Sequence, residues 1–201
     1  MTDASPHQTS TTSERSRILL INGAEHDGAT ERMIALSTEL LQQDGIEVDL
    51  LDPAVHQSTH VYEKWLFAHA VIVIAAAGSD TIARRFQPAI DRMTAAGYPG
   101  QLAERAYGVV VHGDAAQARA TRRTLSAWFD AMGMVDSDSF ATLDRYLGYH
   151  DQSAADEGPR DDAHYREEVR NVAHAVTNAV TELRAGRLSP PERRAAMKRV
   201  P

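Results

Sequence analysis

The stretch AVIVIAAAG, residues 70 to 78, narrows the possible folds more than any other feature of this sequence. A strand with one wet face alternates apolar and polar residues, whereas an unbroken apolar run suits a strand covered on both faces. It therefore predicts the centre of a parallel sheet with helices above and below.

The flanking segments agree. RILLING, beginning at Arg17, is a second short apolar run ending in Asn-Gly, and from about Thr30 to Gln43 the spacing becomes helical, with Met33, Leu36 and Leu40 on one stripe. Gly45 stops that helix, and IEVDLL alternates as a strand does. A short helix is expected around Val55 to Phe67. Ile82, Phe86, Ile90 and Met93 predict an amphipathic helix over Asp80 to Ala95, re-capped or kinked at Pro88. RAYGVVVHGD is another central strand, and Leu125, Trp128, Phe129 and Met132 mark the helix after it, ended by Gly133. SFATLDRYLGYH is a weaker strand candidate, followed by the polar loop DQSAADEGPRDD. Tyr165, Val169, Val172, Val176, Val180 and Leu183 then define a long final helix.

Alternating strands and helices imply right-handed crossovers and ligand binding at the carboxyl ends of the strands, beside the point where strand order reverses. The loops that matter are then Gly23–Thr30, Ala76–Ala83, His112–Gln117 and Gly148–Ser153.

A length of 201 residues with 43% hydrophobic content suits one α/β domain. The formal net charge of −7 argues against nucleic acid and anionic membrane surfaces as partners. Without cysteine there is no disulfide, thiolate nucleophile or iron–sulfur cluster, which is compatible with a reducing cytoplasm. No apolar run approaches the roughly 18 residues of a membrane span, and Met1 to Ser16 lacks the apolar segment of a signal peptide, so a cytoplasmic, soluble protein is expected. Residues 1–16, rich in Ser and Thr, and the basic tail 188–201 are expected to be disordered, around a domain over 17–187.

Four stretches in order, RILLINGAEHDGATERM, FQPAIDRM, YGVVVHGD and YLGYHDQS…EEVRNVAHAV, resemble the flavodoxin-like NAD(P)H-dependent FMN reductases and quinone reductases. The resemblance spans about Arg17 to Arg187. It implies an α/β flavodoxin-like three-layer sandwich, with a parallel five-stranded sheet of order 2-1-3-4-5 and helices on both faces. It also implies FMN as cofactor, NAD(P)H as reductant, a quinone, flavin or other small acceptor, and a homodimer. By the same resemblance the first loop, with Gly23, Ala24, His26, Gly28, Ala29 and Thr30, holds the FMN phosphate. Ala77, Gly78 and Ser79 lie against the isoalloxazine. His112, Gly113 and Asp114 line its pyrimidine side, with His112 the catalytic candidate as a hydrogen-bond donor to a flavin carbonyl or a reduced quinone oxygen.

The chain departs from the family pattern in two loops. Ala24 and Ala29 replace the usual hydroxyl or amide side chains, and Glu25 and Asp27 bring like charge toward a phosphate. At about 6 Å and an effective dielectric near 20, each such charge opposes binding by roughly 3 kcal/mol, less where solvent screens it. Ala76-Ala77-Gly78-Ser79-Asp80 lacks the family's Pro-x-Tyr or Pro-x-Trp, and with it a stacking ring. Trp65 and Trp128, in helical settings, read as core residues. Two alternatives follow: a scaffold that has lost FMN and binds another small ligand or partner, and a metal site at His26, His112 and His150, each within two residues of an Asp. A His in a turn is also an ordinary structural residue, as is Thr30 if it only caps its helix. Asp91-Arg92 reads as a local ion pair, and Arg84 and Arg85 as either a nucleotide-phosphate contact or a solvated face.

Overall fold

In the computed structural model the described residues are 15–24, 28–52, 58–78, 91, 95, 105–137 and 162–186. The elements in chain order are β1 (Arg17–Asn22), α1 (Gly28–Gln43), β2 (Glu47–Leu51), α2 (Ser58–Phe67), β3 (Ala70–Ala76), β4 (Ala106–His112), α3 (Ala115–Ala131), β5 (Val135–Asp136) and α4 (Asp162–Arg184). The five strands form one parallel sheet of order β2-β1-β3-β4-β5. Of the ends expected to be disordered, residues 1–14 and 188–201 lie outside the described residues, as does most of the helix expected over Asp80 to Ala95, whereas the Ser16 carbonyl accepts from Glu47 N at 2.9 Å. Of that helix, Asp91 and Ala95 are helical and exposed.

Strand order explains which face each helix covers. The chain steps from β1 outward to β2, then back across β1 to β3 and on to β4 and β5. Right-handed crossovers in opposite directions put their helices on opposite faces, so α1 covers one face and α2 and α3 the other. The burial pattern bears this out. Leu19, Ile21, Leu51, Val71, Val73, Tyr107, Val109 and Val111 pack with Trp65, Leu125 and Phe129. Ile18, Leu20, Ala70, Ile72, Ile74, Ala106 and Val110 pack with Met33, Ile34 and Leu41 of α1 and with Val169, Val172, Val176 and Val180 of α4. β3 is buried along six of its seven residues, as its apolar run requires. Each fully buried Leu, Ile or Val stabilises by about 1.5–3 kcal/mol.

Trp65 is a core residue, and Trp128, partly buried, packs against the same core. Trp65 is fully buried, with its ring centroid 6.2 Å from Trp128 and 6.1 Å from Phe129, and Phe129 stacks on Tyr107 at 4.7 Å. The Tyr107 hydroxyl donates to Asp130 Oδ1 at 2.8 Å and lies 3.2 Å from Asp136 Oδ2. Burial, and then the neighbouring carboxylates Asp136 and Asp130, push its pKa far above the ordinary tyrosine value. On the opposite face Gly108 admits α4 closely: a Cβ there would stand 2.6 Å from Val172 Cγ1 and 2.8 Å from Val176 Cγ2.

Two boundaries differ from expectation. The described fifth strand is the two-residue Val135–Asp136, directly after Gly133, while the segment SFATLDRYLGYH lies outside the described residues. Two residues cannot display an alternating pattern; what makes them a strand is pairing with Ala106 and Tyr107. α1 begins at Gly28, two residues before Thr30, which places Thr30 in the first helical turn rather than at a cap. Among the described residues no helix is long and apolar enough to cross a membrane.

Candidate functional site

Strand order reverses between β1 and β3, the place where open α/β sheets form a crevice at the carboxyl ends of their strands. Hydrogen bonding runs to the last residues of that edge. Gly23 N donates to the Ile74 carbonyl at 2.8 Å and Ala77 N to the His112 carbonyl at 2.7 Å, so the loops after β1, β3 and β4 leave from one fixed line. Asn22 turns its side chain back to accept from Ala24 N at 3.1 Å, shaping the start of the first loop. Beyond it, α1 begins at Gly28, and a Cβ added at Gly28 meets nothing within 4 Å, so backbone is open to approach there. The positive ends of the α1 and α3 dipoles both lie at this edge.

Among the described residues, the loops after β3 and β4 present the small residues Ala77, Gly78 and Gly113 as a shelf, with the Gln117 side chain beside Gly78. Gly78 has φ 75° and Gly113 φ 112°, conformations that favour glycine. A Cβ on Gly113 would also come within 3.0 Å of Ala77 Cβ, and the flexible end of Gln117, its Oε1, lies 2.9 Å from where a Cβ on Gly78 would stand. Gly78 N donates to Thr121 Oγ1 at 3.0 Å, tying this loop to α3. Asp114 is the N-cap of α3, its Oδ1 accepting from Ala116 N at 3.1 Å and Gln117 N at 3.0 Å.

His112 and Thr30 meet on the α1 side of the sheet. Both are buried, at 6% and 0% exposure, and His112 Nε2 lies 2.6 Å from Thr30 Oγ1. His112 shares the strand parity of Ala106 and Val110, the face that packs on α1 and α4. The expected imidazole facing a flavin carbonyl is thus found with Nε2 turned to the first turn of α1. The Thr30 hydroxyl, expected at a cap or a ligand, is bonded to that ring. This contact holds the first turn of α1 to the end of β4.

Of the remaining expected site residues, Gly23, Ala24, Gly28, Ala29, Ala77, Gly78, Gly113 and Asp114 lie at the described carboxyl edge. His26, Ser79 and His150 lie outside the described residues, as do Glu25, Asp27, Arg84 and Arg85. Of the three histidines of the metal alternative, His112 alone is described. Among the described residues no group of three or more His, Asp or Glu is arranged to hold a metal ion. Sequence reasoning did not pair His112 with Thr30 or assign Thr121 and Gln117 to the support of Gly78. No spacing rule links residues 82 positions apart.

The sequence matches no family model and no curated protein. Solved structures do resemble the fold. A diflavin flavoprotein from Nostoc sp. is 13% identical with a TM-score of 0.53, covering 87% of this chain and 99% of its own. A flavodoxin from Streptococcus pneumoniae is 15% identical with a TM-score of 0.52, covering 80% and 97%. A short-chain flavodoxin associated with a PDU bacterial microcompartment is 12% identical with a TM-score of 0.54, covering 82% and 99%. At such identities the likeness concerns architecture, and together with the sheet order it establishes that this chain has the flavodoxin-like fold.

Proposed function

We propose that this protein binds FMN at the carboxyl edge of the sheet and uses it to pass electrons from NAD(P)H to a small acceptor such as a quinone or free flavin. The observation that supports this most is the convergence at the switch point: the loops after β1, β3 and β4 are fixed together beside the start of α1, with a shelf of small residues next to it. In this reading the backbone from Gly23 to Thr30 and the α1 dipole hold the phosphate. Ala77, Gly78 and Gly113 leave room for a flat ring system, and Asp114 fixes the α3 end of the shelf. Bound flavin supplies the hydride-accepting chemistry, and the protein orients it and limits water. His112 is a positioning residue that acts through Thr30. Purified protein is expected to show flavin absorption, bleached anaerobically by NADH or NADPH. Colourless protein that also fails to bind added FMN in a titration overturns the reading.

One observation favours a second reading, a scaffold without flavin: the Thr30 hydroxyl is already bonded to His112 within the core. Together with the acidic Glu25 and Asp27 this describes a loop suited to a cationic or amine-bearing ligand. A Glu25→Ser, Asp27→Arg double variant then gains FMN affinity at least tenfold over a weak wild type, as read by fluorescence titration. Tight wild-type binding unchanged by the pair excludes it.

A further inference from the structure

A cavity of about 250 Å³ lies between α1 and α4. Ala29, Met33 and Leu36 give it an apolar lining, and Arg32 of α1 and Arg166 of α4 line it from different helices. Both arginines are exposed, and neither has an ion pair or hydrogen bond to another described residue. Two like charges at one cavity repel each other, and the repulsion is relieved by an anion lying between them. A guanidinium fork matches the planar or tripodal oxygens of a carboxylate or phosphate, often through two hydrogen bonds. Glu39 lines the same cavity seven residues beyond Arg32, about 10 Å along the helix axis. A ligand is thereby polarised, with its anionic group toward the arginines and no negative charge at the other end.

We propose that this cavity is a binding site for a small amphipathic oxyanion, a carboxylate or phosphate monoester carried on a single ring or short apolar chain. The volume falls below the roughly 300–1,000 Å³ of pockets for drug-sized ligands, which rules out an entire FMN or dinucleotide as its occupant. It shares Ala29 with the first loop of the flavin reading, and its dependence on Arg32 and Arg166 keeps the two readings distinguishable.

The test is a titration of isotopically labelled full-length protein by NMR with benzoate, phenyl phosphate, inorganic phosphate and the neutral benzyl alcohol. Saturable shifts are expected for benzoate or phenyl phosphate at amides of Ala29 to Leu36 and around Arg166, and benzoate against phenyl phosphate separates the two anion types. Benzyl alcohol should bind at least tenfold more weakly, and an Arg32→Gln, Arg166→Gln variant should lose at least tenfold in affinity for the better anion. Both arginines are exposed, so the variant should keep the wild-type spectrum elsewhere and its thermal midpoint. Equal binding of benzyl alcohol, anion binding indifferent to the double substitution, or shifts confined to the first turn of α1 with inorganic phosphate as effective as phenyl phosphate would overturn the proposal.

Discussion

The two faces of the sheet are filled with different materials. Under α2 and α3 the core is built on rings, with Trp65, Trp128, Phe129 and Tyr107 in mutual contact. Under α1 and α4 it is built on Val, Ile, Leu, Met and Ala, with Gly108 letting a helix approach to van der Waals distance. Rings fill a wide gap with few residues, while aliphatic side chains and a glycine allow a narrow one. The difference extends to the polar interior. Thr30 and His112, both buried, meet on the aliphatic side, and Ser37 of α1 turns its hydroxyl onto its own helix at the Met33 carbonyl, 2.8 Å away. The side that abuts the candidate phosphate loop is thus tightly packed and carries the buried hydrogen bond that joins two elements, whereas the ring-filled side holds one phenol between two carboxylates.

The largest expected effect is on the aromatic side. Trp65→Ala removes a fully buried ring and should cost about 3–5 kcal/mol in urea unfolding. Val176→Ala on the other face removes far fewer atoms and should cost less. Equal losses at the two positions would break the contrast.

Next is Gly108→Ala. The added carbon meets β-branched side chains that cannot swing away, so α4 must shift, and the cost should be about 1–3 kcal/mol. Gly28→Ala is the control, because its added carbon meets nothing within 4 Å and should leave the urea midpoint unchanged or raised. A neutral Gly108→Ala would mean the aliphatic side is not closely packed.

Thr30→Val removes the Thr30 Oγ1 contact to His112 Nε2 while keeping the shape, and the loss of this buried contact should cost about 1–3 kcal/mol. Thr30→Ser should recover most of the loss. If Val and Ser behave alike, the bond contributes little, and the positioning role of His112 is removed with it.

The smallest effect at neutral pH is expected for Tyr107→Phe, about 0.5–1.5 kcal/mol for one hydrogen bond. Its pH dependence is more informative. The folded phenol has a raised pKa, so above the ordinary value of 10.0 the unfolded chain releases this proton while the folded chain keeps it. The stabilisation is therefore complete below that pH and declines as pH rises beyond it. Wild-type urea midpoints should fall more steeply above that pH than those of Tyr107→Phe, and parallel profiles would show that the phenol is not held protonated.

The readable parts of the fold were those with local causes. The β3 run and the stripes of α1, α3 and α4 needed only a period and a length, and the sheet order followed from the resemblance to a known architecture. The positions of Gly78 and Gly113 at the edge were readable too, because each follows a strand. β5 was not, since two residues carry no period. α1 begins at Gly28 rather than near Thr30, and Thr30 meets His112 from the first helical turn.

The sequence by itself determined the alternating strands and helices, the two-sided burial of β3, and the acidic first loop, because backbone propensity, periodicity and formal charge reside in consecutive residues. Only the tertiary structure decided that His112 reaches Thr30 across 82 positions, that Gly108 is the contact point of α4, and that Arg32 and Arg166 share a cavity. Each of these depends on the relative placement of whole elements. That placement comes from the summed packing of both sheet faces, and no local pattern of residues encodes it.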